Sequence, residues 1–440
     1  MKYISIILAV FCTTFLMSCG QADDSDRSKK DFSKKEIEED FNELTNIIET
    51  KVPSPFYNSS REKYDSVKKY LKKHIPDSAS LNDIYKTFYP LVQTLNDAHF
   101  SLYLPDNYFS ELIQYFPFKV LIVGNKLFVK ENCSSEKSIE RGSEIISINS
   151  IPVETIVAAI GSCNFKLPNE ALFFEEWNET VFYKRLFTLF NVKGTFTITL
   201  SKGKNFKVNG ISEKLLRDSR KSDNKPIFKI LDNEIGYLKI PSLIWNKNGD
   251  RENFDRSIDS AFMVLHSVKI NKLIIDIRDN LGGSSILAKD VLDYIYCKPY
   301  TLSEGEVDME KNAIKETIDT SLHTPALHSN RYNGATILLN NVLTYSSAHM
   351  MQAGFQYYKM GQSIGEISSE PLFITGEVST VSLKNSHLAF NYPTSNYILP
   401  GFNKSKKTFY TPDVIYMPTL KDRLSDQDIL LEKAKNMFNK

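Results

Sequence analysis

Two stretches of the chain carry residue types whose spacing suits chemistry. The first is Asp276-Ile-Arg-Asp-Asn280-Leu-Gly282-Gly283-Ser284, between an apolar run from Lys272 to Arg278 and a helical pattern from Ser284 to Tyr296. Paired glycines let the backbone approach another group closely, and a helix start offers N–H donors without intrahelical partners. That combination makes an anion cradle or an oxyanion hole; the plainer reading is a tight turn with a capping serine. Asp276 and Arg278 are expected to pair and tie the turn down. The second stretch is Asn341-Val-Leu-Thr344-Tyr-Ser346-Ser347-Ala-His349, between a buried-strand pattern at Ala335–Asn340 and a helix from Ser347 to Tyr358. A serine at the tip of such a turn projects its Oγ beside helix N–H groups, the geometry of a nucleophile elbow without the GxSxG spelling. Its plainer reading is an ordinary helix N-cap.

Little else in the composition competes with that chemistry. Lys and Arg number 54 against 53 Asp and Glu, so no global field draws the chain to nucleic acid. Hydrophobic residues at 42% and aromatics at 12% are enough to build cores and exclude a disordered chain. No CxxC or paired Cys/His spacing suggests a metal, and His323 with His328 is a poor pair for one helical face, so neither metal nor cofactor is expected.

Three units must position the two turns. Residues 31–113 read as helical: Ser33-Lys-Lys-Glu36 is a capping box followed by Ile37, Phe41, Leu44 and Ile48 at helical spacing. Tyr64, Val67 and Leu71 mark a second helix, and Ser80 caps a third, kinked at Pro90. The alternation in Leu95–Leu104 then suggests entry into a strand. Residues 114–222 are strand-rich: Phe118–Val123, Lys126–Val129, a Gly142 turn, Ile145–Ile148, an Asn149 turn, a helix from Val153 and a closing strand at Thr195–Leu200. Residues 223–440 alternate strand and helix, with the doubly buried runs of a parallel sheet, and read as an α/β core.

The N-terminus sets the compartment. Lys2 and the apolar run Ile4–Met17 have the make-up of a signal peptide and are too short to span a bilayer. The run ends in Leu16-Met-Ser-Cys19-Gly, which resembles the bacterial lipobox. Residues 1–18 are therefore expected to be a signal peptide, Cys19 a lipidation site and 19–30 a solvated tether. Gly20 does not match the inner-membrane retention signal, and Asp23-Asp24 resembles the surface-export signal of Bacteroidetes lipoproteins. The expected place is the outer membrane, facing the periplasm or the surface. Cys133 and Cys163 form a bridge or remain two thiols; both readings stand.

Together, the Asp276–Gly283 and Asn341–Ala348 motifs, followed by Ile364-Gly365-Glu366, resemble the serine peptidases related to the tail-specific (C-terminal processing) proteases and the tricorn core. Asp97-Ala-His99 resembles the Asp-x-His element of the tricorn-like branch, and Tyr410-Thr-Pro412-Asp413 the closing Pro-Asp turn. The middle unit resembles a PDZ domain around Gly142–Val153. The resemblance implies a ClpP/crotonase-like α/β peptidase core behind a helical unit and a PDZ-like β-rich domain, acting on polypeptides. It implies Ser346 as nucleophile, with an oxyanion hole from the Ser347 N–H and a glycine N–H of Gly282 or Gly283. The processing-protease branch takes its base from a Lys just past Gly-Glu. Here that stretch is Ile367-Ser-Ser-Glu-Pro371 and the first Lys is Lys384, so the resemblance points to His99 as general base. The Glu that orients the histidine in that branch is replaced by Lys404-Ser-Lys-Lys407, which leaves Asp97 as the candidate orienting acid. His349 stands where many members carry Glu and is expected to serve packing or helix polarity. A non-catalytic, ligand-binding lipoprotein of the same fold is the alternative.

Overall fold

The computed structural model describes residues 31–105, 108, 113–162, 168–218, 224–232, 234–244, 250–310, 313–319, 321–406 and 408–439. The signal peptide, Cys19, the tether and Cys163 lie outside the described residues. Cys133 is a half-buried thiol. Among the described residues no helix is long and apolar enough to cross a membrane.

The N-terminal unit starts with strand β1 (Phe32–Ser33), paired with β2 (Ser78–Ala79). Helix α1 (Lys34–Lys51) opens on the expected capping box, with the Ser33 N–H donating to the Glu36 carboxylate at 2.9 Å. Helices α2 (Arg61–Lys73) and α3 (Leu81–Gln93) follow, Pro90 lying inside α3. Ile37, Phe41, Leu44 and Ile48 are buried against Phe88, Leu91 and Val92. Strand β3 is confined to Ser101–Tyr103, and it joins the core rather than the domain that follows it in sequence.

The middle unit is an antiparallel sheet of β4 (Phe118–Val123), β5 (Lys126–Asn132), β6 (Glu144–Ile148), β8 (Thr195–Leu200) and β9 (Asn205–Asn209), in the order β4-β5-β6-β8-β9. The short β7 (Ile151–Pro152) pairs with β6 and leads into α4 (Val153–Ser162). The sequence reading missed α5 (Pro168–Phe190). Its apolar residues fall on every face, so no one-sided period betrays it. Phe182, Tyr183, Leu186 and Phe187 bury it in the core of this sheet. Helix α6 (Glu213–Asp218) closes the unit.

The core holds two sheets. The first runs β10 (Ile227–Leu231), β11 (Ile235–Lys239), β12 (Lys272–Asp276), β15 (Ala335–Asn340), β16 (Gln362–Gly365) and β19 (Val414–Ile415). It is parallel from β11 to β19, with β10 antiparallel at its edge. One face packs on α7 (Asp250–Val268), α8 (Ser285–Leu292) and α9 (Ser347–Tyr357). The other packs on α11 (Ile429–Met437) through Ile274, Ile337, Leu339 and Ile364 against Leu430 and Ala434; α10 (Leu420–Arg423) precedes it. Covered on both faces, the central strands read as unbroken apolar runs. Helix α8 stops short of the expected Tyr296: the Asp293 carboxylate at its end accepts from the Tyr300 hydroxyl at 2.8 Å and the Ala326 N–H at 2.9 Å.

The second sheet, β14 (Ala313–Ile318), β13 (Gly305–Glu310), β18 (Ala389–Ile398) and β17 (Phe373–Ser382), was not foreseen. It recruits the N-terminal unit: β3 pairs with β18, Leu102 opposite Phe390. The turn between β17 and β18 docks on α1, where buried Asp40 accepts from the Asn385 and Ser386 N–H groups at 2.9 and 2.8 Å. Those bonds deliver the His99 segment to the core.

Candidate active site

The two turns singled out in the sequence are bonded to each other. After β12, the Arg278 side chain folds back on Asp276 with bonds of 2.9 and 2.6 Å and also grips Asp428, the N-cap of α11, at 2.9 and 2.6 Å. Asp279 and Asn341 then exchange two bonds, of 3.0 and 2.8 Å. The Tyr345 N–H donates to the Asn280 carbonyl at 2.9 Å, and the Thr344 hydroxyl to the Ile277 carbonyl at 3.0 Å.

Both glycines are sterically required. A Cβ on Gly282 would stand 2.7 Å from the Ser346 Cβ and 2.8 Å from the Ser347 nitrogen; one on Gly283 would stand 2.2 Å from the Leu243 carbonyl oxygen. Their φ angles of +96° and +134° exclude most side chains as well. The Gly282 N–H is taken by the Asn280 side chain at 2.9 Å. The Gly283 N–H and the Ser347 N–H make no hydrogen bond among the described residues, and the Gly283 carbonyl accepts from the Ser347 hydroxyl at 2.7 Å, so that peptide faces the start of α9. Both donors are therefore free: Ser347 follows Ser346 directly, and Gly282, just before Gly283, lies against Ser346 and Ser347.

Ser346 itself has φ +53° and ψ −125°, a conformation L-residues rarely adopt, and its hydroxyl caps nothing. Its backbone N–H donates instead to the Glu370 carboxyl. Bent this way, the turn leaves Oγ free of the helix it precedes.

His99 joins the same cluster through Tyr345, next to Ser346 in the chain, and through Glu370, which bonds the Ser346 N–H. Asp97 and His99 lie in a turn, not in the strand that the alternation suggested, and the Asp97 carboxylate accepts from the His99 N–H at 2.8 Å and from Nδ1–H at 3.0 Å. The Thr375 hydroxyl, on β17, bonds Asp97 at 2.9 Å and His99 Nδ1 at 2.7 Å. The Tyr345 ring packs on the imidazole with centroids 5.0 Å apart, and the second Glu370 oxygen lies 3.9 Å from Nδ1. His99 Nε2 is buried without a partner, and no hydrogen bond joins it to Ser346. Such contacts often tighten only when substrate binds.

Electrostatics follow the geometry. Burial alone would lift the Asp97 carboxyl, but the hydrogen bond and charge of His99 outweigh it and hold it below its ordinary value. Burial opposes a charged imidazole, yet Asp97 and then Glu370 raise His99 above its ordinary value. Burial dominates at Glu370, which is pushed up to about 8 against the pull of His99 and the Ser346 N–H.

The remaining candidates lie elsewhere. Lys384 is an exposed partner of Glu39, and Lys404 an exposed partner of Glu316. His349 is wholly buried, contacts the Pro371 carbonyl at 3.0 Å and the Gln352 side chain at 2.7 Å, and is pushed down to about 4 by burial. Glu366 holds the Val342 N–H at 2.7 Å and lines a separate pocket with Glu175, Glu176 and Arg423. No group of three or more His, Cys, Asp or Glu among the described residues is arranged to hold a metal. Two residues of the cluster escaped the sequence reading. Thr375 left no signal, whereas Glu370 lay in the stretch searched for a lysine, an acid flanked by small and apolar residues.

Residues 234–416 match the family described as Peptidase family S41. No curated protein matches the chain. Among solved structures, mature CPAF is similar at 13% identity and a TM-score of 0.64, covering 92% of this chain and 96% of that one. Mature CPAF complexed with lactacystin gives the same identity and TM-score over 92% and 97%. A putative peptidase from Parabacteroides merdae follows at 14% identity and a TM-score of 0.51, over 92% and 96%. At these identities the likeness speaks for the fold: an α/β peptidase core carrying a PDZ-like domain.

Proposed function

We infer, from a chain that belongs to peptidase family S41 and is a serine peptidase on that ground, that it cleaves polypeptides through an acyl-enzyme on Ser346 with His99 as general base. One observation carries the reading. Asp97 accepts only, so Nδ1 keeps its hydrogen, and the lone pair of the buried, unpartnered Nε2 is left for a substrate-side proton. Thr375 braces the same edge of the ring. Asp97 thus does the orienting that an acid in the Lys404–Lys407 region would otherwise do.

The steps balance without a cofactor. Ser346 Oγ attacks the scissile carbonyl carbon as its proton passes to His99 Nε2. The carbonyl oxygen becomes an oxyanion between the Gly283 and Ser347 N–H groups, donors held ready by the bonded turns. The C–N bond then breaks, the imidazolium gives its proton to the leaving amine, and water, deprotonated by His99, releases the acyl group and restores Ser346. The lipobox reading places this activity at the cell envelope, tethered by residues 19–30 to a lipid on Cys19.

A fluorophosphonate probe tests the reading. Wild-type protein is expected to label and Ser346→Ala not to label, a loss of roughly 10⁶-fold by analogy with other serine hydrolases. The labelling rate should fall as pH drops through the His99 midpoint, which lies above 6.5, because only the neutral imidazole accepts a proton. Wild-type protein that never labels would favour the ligand-binding alternative.

A further inference from the structure

Glu370 is built into the site more firmly than a loop residue needs to be. It is 2% exposed, in the connection between β16 and β17. Its own carbonyl accepts from the Ser368 hydroxyl at 2.7 Å, and the next carbonyl, of Pro371, is held by His349, itself held by Gln352. The Ser369 hydroxyl ties the preceding residue to the Val342 carbonyl at 2.8 Å, on the nucleophile turn. Four side chains thus fix one short segment, and the group it presents is a carboxyl. One oxygen takes the Ser346 N–H and the other lies 3.9 Å from His99 Nδ1. The charged and titratable groups facing it are His99, Asp97 and the Tyr345 phenol, which hydrogen-bonds it. Among the described residues no Lys or Arg pairs with it, so the imidazolium is the one cation within its reach.

We propose that Glu370 is a positioning residue of the peptidase reaction, which holds the Ser346 turn through its backbone N–H and favours the imidazolium that His99 becomes. The proposal rests on the Ser346–His99 reading. No proton passes to Glu370: the Ser346 proton goes to His99 Nε2, and a carboxylate on the far side of the ring is attracted to the charge so created. Burial holds the Glu370 carboxyl up at about 8 even against the pull of His99, so its attraction for the imidazolium is fully present only above that value, where the carboxyl is ionised, and the two groups titrate as a pair. The role also accounts for His349, Ser368 and Ser369, which no step of the reaction uses.

Glu370→Gln separates the two functions, because the amide oxygen still accepts the Ser346 N–H while the charge is gone. Fluorophosphonate labelling rates against pH, together with the His99 midpoint from the NMR shift of its ring protons, are the readouts. The expected result is a His99 midpoint about one pH unit lower, with the acid limb of labelling moving with it, and a plateau roughly ten-fold slower from the weaker base. A carboxyl that merely braces the fold would leave the His99 midpoint in place. Should Glu370→Gln fail to fold, the Glu370 carboxyl of wild-type protein, followed by its ¹³C shift, must titrate over the same pH range as His99. Independent titration of the two groups, or superimposable wild-type and Glu370→Gln profiles, overturns the proposal. Wild-type protein that does not label at all overturns the Ser346–His99 reading itself, which is a different result.

Discussion

Ser284 and Ser346 hold the same place in the same sheet. Each follows a buried parallel strand, β12 or β15, and each stands one residue before a helix. Their conformations are opposite. Ser284 has φ −96° and ψ +124°, and its hydroxyl accepts from the Ile286 N–H at 3.2 Å, as an N-cap does. Ser346 turns to φ +53°, caps nothing, and hands its N–H to Glu370. The neighbouring hydroxyl, that of Ser347, goes to the Gly283 carbonyl rather than to the helix. One serine contributes stability and the other gives it up for an uncommitted hydroxyl, although the sequence around each reads as a cap. Residue type and secondary-structure position therefore do not separate a structural serine from a reactive one; the backbone angle and the destination of the hydroxyl do.

The sharpest way to break the contrast after Ser346→Ala is to disturb the base that only one serine has. Asp97→Asn keeps the shape of the turn but removes the negative charge that holds the proton on Nδ1 and favours the imidazolium. Labelling of Ser346 should fall by roughly 10⁴-fold, as in other triads that lose their acid. The His99 midpoint should fall too, since the charge that raises it is gone. An Asp97→Asn rate within ten-fold of wild type would mean that Thr375 alone orients the ring.

The central strands and both turns are legible in the sequence for a physical reason. Strands buried on both faces read as unbroken apolar runs, and Gly282-Gly283 marks a place where backbone meets backbone. Ser346, Ser347, Gly283, Asp97 and His99, all named from motifs, end in one cluster. What the sequence hides is whatever depends on pairing across the chain. β3 leaves the N-terminal unit to pair with β18, nearly three hundred residues on, and that pairing brings Thr375 to the imidazole. Glu370 is hidden differently: an acid in a short loop looks solvated until the segment around it is seen to be buried. Helix α5 is hidden because apolar residues on all its faces cancel the period that would reveal it.

The next effect belongs to the wall between the two serines. Gly283→Ala would place a methyl 2.2 Å from the Leu243 carbonyl oxygen at φ +134°. Leu243 and Gly283 form a parallel bridge, the Leu243 N–H donating to the Gly282 carbonyl at 3.0 Å and its carbonyl accepting from the Ser284 N–H at 2.8 Å, so the two cannot part without losing those bonds. The expected cost is about 3 kcal/mol in urea unfolding, with labelling of the surviving folded protein slowed as the oxyanion donor shifts. A loss below 1 kcal/mol would mean that this approach relaxes easily and that the glycine is kept for another reason.

The smallest effects test the contrast most directly, because they should differ in sign. Ser346→Gly removes a Cβ from a conformation that side chains disfavour and loses no cap, so it should raise stability by about 1 kcal/mol while abolishing labelling. Ser284→Ala removes a real cap, and the Ile286 N–H at the start of α8 is left to water; the expected loss is about 1 kcal/mol, with Ser346 labelling unchanged. Both are read from the same urea curves at constant slope, so a change in the unfolded state would show itself. If Ser346→Gly destabilised as Ser284→Ala does, the Ser346 backbone would be relaxed in solution. The elbow would then form only when substrate or probe arrives, and the difference between the two serines would belong to the bound state rather than to the fold.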